Sequence, residues 1–167
     1  MKIEQQTASD LKKLGSLMED SRISMMTTLD EDDRLVSRPM TPLKMDTQGV
    51  IWFFVDVNSN KTDQLDRVNL SFSDDGDSTY VSIAGHGIVS DDRAKMRELW
   101  TPFMKPWFPE GVESSHLGLL KVVPQTVEYW DSTHSKMVRM FAVAASVIAA
   151  KPIAMGEHGQ INLLESP

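Results

Sequence analysis

The stretch "VIWFFVDVNSNKTDQLDRVNLSF", residues 50–72, joins an apolar run to a polar turn and then to a second strand-like run. "VIWFFVDV" is rich in β-branched and aromatic residues and too short for a free-standing helix, so it predicts a buried strand. The segment after it reads as the start of a short helix. Ser59 or Asn60 can cap it, and Asn60 with Asp63 has the spacing of a weak capping box. Lys61 then sits in the first turn, facing the positive end of the helix dipole, the wrong sign unless an anion joins it. Free backbone amides and an ammonium together make a phosphate site. The plainer alternative is a solvated lysine paired with Asp63, Asp66 or a neighbouring segment.

Upstream, Leu11, Leu14 and Met18 recur at helical spacing behind Thr7 or Ser9 as cap. "RISMMTTL" and "LVSRPM", separated by the polar turn "DEDDR", predict a hairpin with a loop longer than two residues. Pro39 removes a ladder donor and belongs at a strand edge or bulge. Beside it, Arg38 can aim its planar fork at a phosphate or pair with the acidic turn.

Downstream, "NLSFSD", "DSTYVSIAG" and "HGIVSDD" read as strands, with "SDDGDS" at 73–78 as a hairpin loop. Tyr80, Ser82 and Ala84 alternate with Val81, Ile83 and Gly85, which gives one apolar face. Gly85 and Gly87 flank His86 and predict a tight bend between paired strands. Asp91 or Asp92 can cap a second helix, with Met96, Leu99, Trp100 and Phe103 as its apolar stripe. "TPFMKPWFPEG" is an aromatic loop broken by prolines, suited to an interface or a ligand lid. "HLGLLKVVPQTVEYWD" predicts one long strand, or two broken at Pro124. Met137, Met140, Phe141, Ala144 and Ile148 line a third helix. Met25, Met96, Met137 and Met140 are read as flexible core filler.

Six or seven strands with three or four helices, and no regular βα alternation, point to a mostly antiparallel barrel or sandwich with helices at its ends. The 167 residues suit one domain, 1–167. A formal net charge of -7 argues against nucleic acid or an anionic membrane as main partner. The absence of cysteine excludes disulfides, thiolate metal sites and cysteine nucleophiles. The four histidines, His86, His116, His134 and His158, are scattered without zinc-binding spacing. "MKIEQQTASDLKK" lacks the apolar core of a signal peptide, and no run approaches the ~20 residues of a membrane span, so a cytoplasmic protein is expected.

The order "SRPM", "VIWFFVD", "NSNKTDQL", "VNLSFSD" resembles the flavin-binding split-barrel family that includes pyridoxamine 5′-phosphate oxidases. "YVSIAGHGIVSDD", "LWTPFMKPWFPEG" and "VEYWDSTHSKM" look closer to its general stress protein 26 branch, and the resemblance covers about residues 8–150. It implies a six-stranded antiparallel split β-barrel forming a homodimer, with FMN in clefts between the subunits. By the same resemblance, Arg38 and Lys61 hold the FMN phosphate, helped by Asn60 and Thr62. Phe53, Phe54 and Val55 lie along the flavin ring, and Pro39, Met40 and Thr41 continue that wall. Trp107 and Phe108 of the partner subunit, and Trp130, cover the ring or the open cleft. A pyridoxamine-phosphate oxidase also carries an arginine–x–histidine pair near its C-terminus. Here Arg139 is followed two places later by Phe141, which argues against vitamin B6 oxidation.

These residues leave three functions open. The first is an FMN-dependent oxidoreductase whose small-molecule redox partner is not specified. The second is a flavin-sequestering stress protein without turnover. The third is a split-barrel module binding haem, a deazaflavin or a peptide.

Overall fold

The computed structural model describes residues 1–58, 65–74, 76, 78–131 and 157–163. In chain order they form β1 (Lys2–Ile3), α1 (Ser9–Met18), β2 (Ser24–Leu29), β3 (Leu35–Met40), β4 (Lys44–Met45) and β5 (Ile51–Asp56). There follow β6 (Val68–Asp74), β7 (Thr79–Ser90), α2 (Arg93–Leu99), β8 (Leu117–Asp131) and β9 (Glu157–Asn162). Short 3-10 turns lie at Pro102–Met104 and Gly111–Glu113.

One sheet runs in the order β1-β4-β5-β8-β7-β6-β2-β3, with β9 pairing β8 off that path. Every pairing is antiparallel except β1 with β4. The long strand β8 organises it. One edge of β8 runs along β7, so the other is shared in succession by β5 (residues 117–122) and β9 (residues 126–131). The path does not close on itself. A split remains between edge strand β3 and the β4–β5 side, and residues 41–43 cross it. This is the mostly antiparallel split barrel that the resemblance implies, with two α-helices among the described residues.

Nine strands are present among those residues, where the sequence predicts six or seven. Two of the additions, β1 and β4, are two residues long and carry no readable periodicity. The third, β9, has the sequence "EHGQIN", without the β-branched alternation that marks a strand. The helix expected around Met137–Ile148 lies outside the described residues.

β5 is buried on both faces. Phe53, fully buried, packs inside the barrel with Leu70, Ile83, Leu120 and Val122, while Phe54 joins Met96, Met104, Phe108, Leu117 and Leu119 in a second cluster under α2. A strand covered on both sides reads as a continuous apolar run, which is why "VIWFFV" shows no alternation. β7 does alternate, with Val81 and Ile83 inside and Tyr80 and Ala84 outside.

Gly85–His86–Gly87 makes no bend between strands, contrary to expectation; β7 passes straight through it. The ladder with β8 instead shifts register between Ala84 and Gly85, opposite Pro124. Proline has no amide to donate, so one ladder bond is lost and the strands close up there. A Cβ on Gly85 would lie 2.1 Å from the Val123 carbonyl oxygen. The two glycines therefore serve close approach, and β8 stays a single strand.

Other corrections are local. α1 begins behind Ala8, without a side-chain cap. Asp92 caps α2 by accepting from the Lys95 amide, but α2 ends at Leu99, which leaves Phe103 beyond it and 65% exposed. Met25 points outward on β2; the methionines buried in the barrel are Met18, Met26 and Met45.

Lys44 on β4 is buried and bridges Glu4 and Glu98, the latter at 2.7 Å, tying the β1–β4 edge to α2. Lys95 also reaches Glu98, at 2.9 Å, and stands 5.5 Å from the centre of the Trp52 ring. Hydrogen bonds from Lys44 and Lys95 lower the Glu98 carboxyl from its ordinary 4.5 to about 2. The Lys44 hydrogen bond lowers Glu4 as well. Lowered carboxylates stabilise the fold above their ordinary range and lose that contribution as pH falls through the folded value. The urea midpoint is therefore expected to drop between about pH 4.5 and pH 2, and Glu98→Gln to flatten part of that slope. Glu98 is half exposed, so screening keeps its share small.

Candidate functional site

A cavity of about 650 Å³ opens at the split. On one side Ile23, Met26, Arg38, Pro39, Met40 and Thr41 line it, from β2, β3 and their flanks. Phe54, Val55 and Asp56 of β5 form the opposite wall, with Leu65 and Leu120 beside them. Met104, Trp107 and Phe108 come from the loop after α2.

Arg38 is aimed by strand register. It pairs with Met26 across the β2–β3 ladder, and Ser24, Met26 and Thr28 alternate inward on β2, so the Arg38 side chain also faces in. Its Nη2 donates to Thr28 Oγ1 at 2.7 Å, and Thr28 is buried. Its Nη1 is buried too, with no hydrogen-bond partner among the described residues. The acidic turn does not claim this arginine; Arg34 takes Asp32 there at 2.9 Å. Pro39 sits on β3, which among the described residues is an edge strand paired with β2, so the proline lies on an edge strand as expected.

The aromatic wall is held from both ends. The Phe54 ring lies 5.8 Å from Trp100 and, edge-on, 6.4 Å from Phe108. Arg93 Nη1 donates to the carbonyls of Val112 and Ser114 at 3.2 and 3.0 Å, and Arg97 pairs with Glu113 at 2.9 Å. These contacts fasten the far end of the loop to α2. Trp107, 60% exposed, stands at the cavity with Phe103 5.7 Å away. At the other margin the Gly87 amide donates to the Leu65 carbonyl at 2.7 Å, and a Cβ on Gly87 would press on Leu65 and Leu120. Gly87 thus lets Leu65 pack down beside the cavity.

Of the residues singled out in the sequence, Arg38, Pro39, Met40, Thr41, Phe54, Val55, Trp107 and Phe108 lie together on this cavity. The resemblance assigned Trp107 and Phe108 to the partner's site; here they line the cavity of their own chain. Phe53 does not line it, since its side chain is in the barrel core. Trp130 lies elsewhere, cross-strand from Tyr80 and stacked on His158 at 5.1 Å. Asn60, Lys61 and Thr62 lie outside the described residues. Sequence reading missed Ile23, Met26, Asp56, Leu65, Met104 and Leu120. Of these, Met104 had a signal, because it falls within the aromatic loop already singled out. Among the described residues no helix is long and apolar enough to cross a membrane.

An open antiparallel sheet with a ligand-sized cleft and an inward arginine at its split is a split-barrel architecture. The chain belongs to the pyridoxamine 5′-phosphate oxidase like family, whose family model matches residues 9–153. It is 28% identical over 165 residues to protein bli-3 of Neurospora crassa, covering 91% of this chain and 79% of that protein. The structure of a protein assigned as general stress protein 26 from Jannaschia sp. CCS1 superposes with a TM-score of 0.72 at 25% identity, covering 93% of this chain and 99% of the other. A general stress FMN/FAD binding protein from Xanthomonas citri gives a TM-score of 0.63 at 28% identity, covering 77% of this chain and 93% of its own.

Proposed function

We propose that this chain binds FMN in the cavity at the split and acts as a flavin-dependent oxidoreductase, assembled as a homodimer. The observation that carries the reading is the buried, unpartnered Nη1 of Arg38. A buried guanidinium arm without an acceptor is costly, and a phosphate oxygen supplies a charge-assisted one. The rest of the donor set fits the same group. FMN needs a cation at one end and an apolar, stackable wall at the other. The cavity has Arg38 on its β3 side and Phe54, Phe108 and Trp107 across the split. Its volume lies within the ~300–1,000 Å³ common for small-molecule sites.

In this reading Arg38 fixes the phosphate, Thr28 holds the guanidinium in place, and Lys61 adds a second positive charge. Phe54 and Val55 support the ring, and the loop bearing Trp107 limits access of water. When bound, FMN supplies the one- and two-electron redox chemistry. The printed description of the Xanthomonas citri protein as FMN/FAD binding supports the choice of ligand, and the general stress label of the neighbours extends to this chain within the same proposal. Exposed Trp107 at the cavity, with exposed Phe103 beside it, supports a second copy covering it.

The test is the visible spectrum of the purified protein after FMN is added and the excess removed. A retained flavin band that bleaches anaerobically with NADH or NADPH is the expected result. Retention without turnover would make the protein a flavin carrier, and no retained flavin would overturn the reading.

A further inference from the structure

The two walls of the cavity are built on different parts of the chain. The β3 wall ends at Thr41, and residues 41–43 then carry the chain across the split to β4. The other wall is backed by α2. Met104 and Phe108, which line the cavity, share an apolar cluster with Met96 of α2, and Leu43, Leu99 and Trp100 pack against that cluster. The loop that bears Met104 and Phe108 is fastened to α2 at its far end through Arg93 and Arg97. The contacts that hold α2 to β4 therefore also fix the spacing of the two walls.

Lys44 is placed to make such a contact. It is the first residue of β4, directly after the crossing segment, and is buried. Its ammonium reaches Glu98, near the end of α2, at 2.7 Å, and Glu4, just after β1. Glu4 also accepts from the Thr47 amide at 3.2 Å, which pins it beside β4. Lys95, one turn before Glu98 on α2, holds the same carboxylate at 2.9 Å and stands over Trp52, the cross-strand partner of Lys44. Apolar packing presses α2 onto the sheet but is non-directional. A buried ammonium is costly unless its acceptors are in reach, so it tolerates fewer placements of the helix. Lys44 and Glu98 do not themselves line the cavity.

We infer that Lys44 and Glu98 are positioning residues, their ion pair bracing the split and setting the width in which a planar ring is held. The inference rests on the FMN reading, which places a flavin ring between these walls. The brace acts on the ring and not on the phosphate, because Arg38 is held from within the β2–β3 hairpin by Thr28.

Glu98→Ala tests this, since it cuts the brace while Lys44 keeps Glu4. Fluorescence titrations with FMN and with riboflavin give two affinities, and visible circular dichroism reports the surroundings of the bound ring. Urea unfolding of the flavin-free protein gives the stability. Both flavins are expected to bind about fivefold more weakly, with the ratio between them kept and the dichroism of bound FMN changed. Glu98→Gln, which keeps one acceptor oxygen, should recover part of the affinity. A merely structural pair would lower the urea midpoint and leave the affinities and dichroism of the folded variants as in wild type, which overturns the inference. A loss confined to FMN would place the effect at the phosphate, and overturns it too. A wild-type chain that keeps no flavin overturns the cofactor reading, and this inference with it.

Discussion

Arg38→Met is expected to bind FMN between about ten- and a hundredfold more weakly than wild type, while the flavin-free protein keeps its stability to within about 1 kcal/mol. The first figure follows from hydrogen bonds to a charged group, worth roughly 1.5–3 kcal/mol. The second follows from two opposing changes. The substitution removes a buried nitrogen that has no partner, which is favourable, and it strips Thr28 of its donor, which is not. An unbranched apolar side chain also keeps much of the arginine stem's packing. Titration calorimetry gives the affinity and urea unfolding the stability. A variant that loses affinity only because it unfolds would show both falling together.

Gly85→Ala is expected to destabilise the protein by about 3 kcal/mol, at the upper end of overpacking effects. The added Cβ would meet the Val123 oxygen at 2.1 Å and its carbonyl carbon at 3.0 Å. Both are main-chain atoms in the strand that the whole sheet depends on, so no rotamer change relieves the clash. Gly87→Ala is the control. Its closest contacts are Leu120 Cδ1 at 3.0 Å, a side-chain end that can shift, and Leu65 Cβ at 3.1 Å, which has to give by only a few tenths of an ångström. The urea midpoint should fall clearly further for Gly85→Ala.

These two glycines also show where the sequence stops being readable. Glycines around a histidine look like a turn from within one strand. The purpose of Gly85 lies at Val123 and Pro124, about forty residues away, and that of Gly87 at Leu65 and Leu120; only strand register and packing reveal either. The same holds for Lys44, whose partners Glu4 and Glu98 are remote on both sides, and for the division of Phe53 and Phe54 between two cores. A run buried on both faces has no alternation to say which ring goes where. Local signals carried further. The β2–β3 hairpin, the edge position of Pro39, the Asp92 cap and the β7 alternation each depend on neighbours within a few residues, and all were legible. At the cavity, chemistry-bearing residues such as Arg38 and Trp107 stood out by type. Apolar linings such as Ile23, Leu65 and Leu120 did not, because in sequence a cavity wall and a core look alike.

The central claim is that Arg38 receives a phosphate. Parallel titration of wild type with FMN and with riboflavin, which lacks only the phosphate, tests it most directly, with Arg38→Met run beside it. The account predicts that wild type prefers FMN by at least about tenfold and that the substitution removes most of that preference. Equal affinity of wild type for FMN and riboflavin would contradict it.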